Sequence, residues 1–74
     1  MKTFTAYVEW DPVTKLYVGI IPGITGAHTQ AKTLDKLHKN LKEVLELCLK
    51  ELKTRGELKE LPQFNGLQQI EVAI

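Results

Sequence analysis

The chain has 74 residues, 43% of them hydrophobic and 26% charged, and ten Lys and Arg against nine Asp and Glu leave a net charge of +1. That length makes one domain, the apolar content excludes a disordered chain, and the neutral balance speaks against a dedicated nucleic-acid binder. No apolar run approaches the roughly 20 residues that span a bilayer. Met1-Lys2-Thr3-Phe4 has no apolar stretch behind it, so a cytoplasmic protein is expected rather than an anchored or secreted one.

Thr3 to Trp10 alternates, with Phe4, Ala6, Val8 and Trp10 on one face and Thr3, Thr5, Tyr7 and Glu9 on the other. This is the period of a half-buried strand. Asp11-Pro12 marks a turn, because proline presets the second turn position and aspartate can bond the backbone ahead of it. The five residues Asp11 to Lys15 suit an antiparallel hairpin into a second strand, Leu16 to Ile21, where Leu16, Val18 and Ile20 alternate against Tyr17, Gly19 and Ile21. The sets Phe4/Val8 and Leu16/Val18 are expected to face the core, which leaves Tyr7, Glu9 and Tyr17 on the open side. Pro22-Gly23 ends this strand, and Gly26 leads into a short third one, Ala27 to Gln30. Thr33 is placed to cap a helix.

From Leu34 to Arg55 the apolar residues Leu34, Leu37, Leu41, Val44, Leu45, Cys48 and Leu52 recur at spacings of three and four, which draws one stripe on a helix about 33 Å long. Gly56 stands where a left-handed residue closes a helix, and Lys53 and Arg55 complement the dipole of the last turn. Leu47 is the outlier, set among Glu43, Glu46 and Lys50 on the solvent side. Glu57 to Glu60 is polar around Leu58. Leu61-Pro62 and Asn65-Gly66 then turn the chain toward a last strand, Gln69 to Ile74, in which Ile70, Val72 and Ile74 alternate with Glu71 and Ala73. The expected fold is α+β, a two-layer β-β-β-α-β domain spanning 1–74 with one helix on one face of a mainly antiparallel sheet.

A domain this small buries only about 60% of the surface its unfolded chain exposes, so it leans on a staple or on a partner. Cys48 is the one cysteine and cannot form an internal disulfide, and with His28 and His38 alone beside it no four-ligand zinc set can be written. His38 and Cys48 are ten residues apart on one helix, about 15 Å along its axis. No metal or cofactor is expected. Lys32, Lys36, Lys39 and Lys42 cluster at the start of the helix, but Glu43, Glu46 and Glu51 share that side, and a solvated face is the expectation. What remains is self-association or a binding partner, and Leu47 and the strand of Ile70, Val72 and Ile74 are candidates for the first.

The run Ile21-Pro22-Gly23-Ile24-Thr25-Gly26-Ala27-His28-Thr29-Gln30-Ala31-Lys32-Thr33-Leu34 resembles the signature of the HicB antitoxin family. In that family an apolar residue and proline close a strand, followed by Asp-Leu-Pro-Gly-Cys, His-Thr-Gln-Gly-Asp-Thr-Leu and then a helix. Pro22, Gly26, His28, Thr29, Gln30, Thr33 and Leu34 match, and Ile24 matches conservatively. Gly23, Thr25, Ala27, Ala31 and Lys32 depart from the pattern. The resemblance implies a degraded ribonuclease-H-like fold that binds rather than catalyses. The implied partner is a small HicA-type toxin, an mRNA-cleaving ribonuclease with a double-stranded-RNA-binding-domain fold, whose active face the antitoxin masks.

Many relatives in that family carry a C-terminal DNA-binding module, for which 74 residues leave no room, so direct DNA binding is not expected. Nor is residual nuclease activity, since Asp11, Asp35, Glu9 and Glu71 do not cluster as magnesium chemistry requires. Tyr7, Glu9 and Tyr17 are the expected toxin contacts, tyrosine being favoured at interfaces. The alternative is a stand-alone oligomeric binding domain of unknown ligand.

Overall fold

A computed structural model describes residues 2–58, 61–63 and 65–74. Met1, and Lys59 and Glu60 of the polar stretch that follows the helix, lie outside the described residues. Three strands, β1 (Tyr7–Asp11), β2 (Leu16–Ile20) and β3 (His28–Ala31), precede one helix, α1 (Leu34–Arg55). The strands form one antiparallel sheet in the order β1-β2-β3. The result is the two-layer α+β arrangement that the pattern predicts.

The helix has the expected bounds because both ends are chemically marked. The Thr33 hydroxyl accepts from the Lys36 backbone N–H at 3.1 Å, which satisfies one of the free amides of the first turn. Gly56 adopts φ +73°, and its N–H and that of Glu57 return to the carbonyls of Lys53 and Leu52. Leu37 and Leu41 are buried, and Val44, Leu45, Cys48, Leu49 and Leu52 pack beside them. Leu34, expected in the stripe, is instead exposed on the first turn.

The hairpin differs from expectation in a way that reverses one strand. A five-residue loop would set Trp10 opposite Leu16 and Val8 opposite Val18. The loop closes with four residues, Pro12 to Lys15, so that Asp11 pairs with Leu16, Trp10 with Tyr17 and Val8 with Gly19. A slip of one residue turns every side chain of a strand to the opposite face. Tyr17, Gly19 and Ile21 therefore face the helix, and Leu16, Val18 and Ile20 face away from it. The Trp10 and Tyr17 rings meet on the helix side with centroids 4.8 Å apart.

The core is completed by the segment between β2 and β3. The Ile21 N–H donates to the Ala27 carbonyl at 2.8 Å and the Ala27 N–H to the Ile24 carbonyl at 3.1 Å, a tight closure in which Gly23 and Gly26 both take φ +85°. It drives Ile21, Ile24 and Ala27 inward to join Ala31, Leu37 and Leu41. The helix packs across β3 and β2 and leaves β1 uncovered. Leu61 reaches the core edge, and Pro62 lies against Gly23. The last strand expected at Gln69 to Ile74 has no ladder partner among the described residues, and these residues are exposed.

Candidate functional site

The register of the sheet builds the face turned away from the helix. Directly opposed residues of antiparallel strands project to the same side, so three rows follow: Tyr7–Ile20–His28, Glu9–Val18–Gln30 and Asp11–Leu16. Tyr7, Glu9, Ile20, His28 and Gln30 are exposed, and Leu16 and Val18 are half-buried. Ile20 at 40% and Tyr7 at 45% exposure form an apolar centre flanked by an acid, an imidazole and an amide. A second layer covers the other side of this sheet but not this one, which suits it to a flat partner.

Of the residues expected at this face, Tyr7 and Glu9 are there. Tyr17 is not, because the four-residue loop turns it toward the helix, where it packs against the core beside Trp10. Sequence reasoning missed Leu16, Val18 and Ile20, which it assigned to the core; the length of the hairpin loop was the signal that could have placed them.

The motif residues divide into two groups. Gly26 supplies a positive φ, Thr33 caps the helix, and Thr29 stands opposite Gly19 on the helix side; these have structural work to do. Pro22 is exposed at the end of β2, and His28 and Gln30 are exposed on the open face. The same β3 register thus brings the polar half of the motif into line with Tyr7 and Glu9. Leu47 is 67% exposed on the outer side of α1, and Ile70, Val72 and Ile74 are exposed in the tail; neither belongs to this face.

Electrostatics adds one local feature. The Asp11 carboxylate accepts from the Val13 N–H at 2.9 Å, and this bond, helped by the Thr14 hydroxyl, holds its carboxyl below the usual carboxylate range. Asp11 therefore stabilises the turn that sets the register. Cys48 packs at the core, His38 is exposed on the helix, and among the described residues no group of three or more His, Cys, Asp or Glu side chains is placed to hold a metal ion. Among the same residues no helix is long and apolar enough to cross a membrane.

The chain is 46% identical over 71 residues to a UPF0150 protein of Thermotoga maritima, a match covering 96% of this chain and 91% of the relative. It is 37% identical over 71 residues to a UPF0150 protein of Synechocystis sp., with 96% of each chain covered. A UPF0150 protein of Archaeoglobus fulgidus is 46% identical over 56 residues, covering 76% of this chain and 75% of the relative. No family model and no solved structure matches the chain.

Proposed function

The chain belongs to the UPF0150 family, and we propose that it acts in the cytoplasm as a HicB-like antitoxin, a binding protein and not an enzyme, which occludes a small HicA-type mRNA-cleaving toxin. The observation that carries this reading is the alignment of His28 and Gln30, the exposed polar residues of the HicB-like motif, in rows with Ile20 and Tyr7 and with Val18 and Glu9. The structural members of the motif shape the loop and start the helix, and the remaining ones present a surface.

Occlusion needs no bond chemistry. Ile20, Tyr7 and Val18 would supply the desolvated centre of an interface, and Glu9, His28 and Gln30 its polar rim. A surface that binds RNA is basic, since it neutralises phosphates, and Glu9 offers it a carboxylate. A toxin held on this face loses access to its substrate by exclusion alone.

The test is co-expression with the small open reading frame adjacent to the gene. The expected result is a complex that survives purification and a restored growth rate, both lost in Ile20→Asp, while the variant keeps its helical spectrum. A neighbour whose product neither binds the chain nor cleaves RNA would overturn the reading. The exposed apolar tail favours a second reading, a self-assembling binding domain without a toxin partner. An oligomer whose open face captures no adjacent gene product would support that one.

A further inference from the structure

The chain exposes more surface than a folded monomer of its mass. Its accessible area is 6737 Å², against about 4,600 Å² for a compact protein of 8.4 kDa. The radius of gyration is 14.1 Å, where about 11 Å is expected for this length. The excess has two sources. One is the tail, where Ile70, Val72 and Ile74 are each more than 70% exposed although their pattern is that of a strand. The other is β1, whose outer edge has no ladder partner among the described residues and whose helix-side residues Val8 and Trp10 are 45% and 50% exposed because α1 does not reach over them.

We propose that residues 69–74 of one chain add as a strand to the free edge of β1 in a second copy, and that two copies exchange tails in this way. Each copy offers one unpaired apolar strand, and of the two sheet edges, β1 and β3, β1 is the one that α1 leaves uncovered, so a two-fold exchange pairs the tail and the β1 edge of both copies at once. The alternating Ile70, Val72 and Ile74 would cover Val8 and Trp10 of the second copy, and the backbone of the tail would gain the hydrogen bonds that it lacks alone.

The geometry permits the reach. Pro62 is seated on Gly23, which fixes the root of the tail, and the twelve residues beyond it extend to about 40 Å. The root lies beside residues 2–5, with Gln63 and Thr5 lining one groove, next to the entry of the chain's own β1. The tail nevertheless leaves that edge unpaired. The excess of about 2,000 Å² per chain is of the size that obligate dimers bury. The inference does not rest on the toxin reading, since it concerns the backbone edge of β1 and its helix-side residues Val8 and Trp10, whereas Tyr7 and Glu9 of the same strand project to the open face.

The test uses the full chain. Light scattering across a dilution series gives the oligomeric state, and amide hydrogen exchange reports residues 69–74. The expected result is a particle of twice the chain mass with protected tail amides, whose protection is lost on dilution to the monomer. Val72→Pro removes a ladder donor and should raise the dissociation constant roughly 30-fold or more. Ile70→Asp should do the same while keeping every backbone donor. Both sites are exposed in the single chain, so the helical spectrum of each variant should persist. A monomer with protected tail amides would show pairing on the chain's own β1, and a dimer unmoved by both variants would show another interface. Either result overturns the proposal, as does an unprotected tail at every concentration.

Discussion

The side chain of Leu41 occupies the space that a β-carbon on Gly19 would fill: such an atom would lie 2.7 Å from Leu41 Cδ1 and 3.2 Å from its Cγ. This contact holds α1 down on β2 and closes the centre of the core, since Leu41 is buried. Because Cγ and both methyls crowd the position, rotating one methyl does not relieve it. Gly19→Ala should cost about 1–3 kcal/mol by overpacking, read as a lower urea midpoint. Adding Leu41→Ala should recover part of that loss, so the double variant costs less than the two single changes together. Additive costs would show that the two residues do not press on each other.

The two tyrosines should separate stability from recognition. Tyr17 packs against the core and the Trp10 ring, so Tyr17→Ala should destabilise the fold by about 2–4 kcal/mol. Tyr7 stands on the open face, and Tyr7→Ala should leave stability within about 1 kcal/mol while weakening capture of a toxin at least about tenfold. Urea unfolding and titration calorimetry on both variants check this. Equal stability losses would return Tyr17 to the open face.

The helix was legible because its signals agree. The apolar period, the Thr33 cap and the Gly56 stop all point to Leu34–Arg55, and nothing beyond the two flanking residues was needed to read them. The hairpin was legible as a hairpin but not in its register. Both faces of β2 carry apolar residues, Leu16, Val18 and Ile20 against Tyr17 and Ile21, so alternation alone does not say which face is inside. The decision falls to the loop length and to Gly19, which reads as a blank in the sequence and is the point of closest approach in the fold. The open face was therefore half legible: Tyr7 and Glu9 were expected there, His28 and Gln30 stood out only as motif residues, and the apolar residues between them were missed. The tail was readable as a strand by composition, but a strand exists only with a partner, and among the described residues no edge is paired with it.

Lys15 closes the hairpin loop at φ +60°, with its N–H donating to the Asp11 carbonyl at 2.8 Å. A side chain in the left-handed region costs about 1–2 kcal/mol, part of which glycine loses again through the entropy of the unfolded chain. Lys15→Gly should therefore raise stability by several tenths of a kcal/mol, seen as a higher midpoint of thermal unfolding. A loss of stability would mean that the lysine side chain makes a contact worth more than the strain.

Asp11 gives the turn a pH dependence of known sign. Its carboxyl is held below the usual range by the Val13 N–H and then by the Thr14 hydroxyl, whereas in the unfolded chain it titrates as an ordinary carboxyl. A depressed folded value means that the stabilisation is fully present above the unfolded pKa and is lost as pH falls through the folded one. Asp11→Asn keeps an oxygen acceptor for Val13 but carries no charge. At neutral pH this variant should be the less stable of the two, and in acid, below both values, the gap should close. Urea unfolding of both proteins at neutral pH and in acid measures it. A gap that stays constant with pH would assign the role of Asp11 to shape rather than charge, and the register of the open face would then rest on the loop backbone alone.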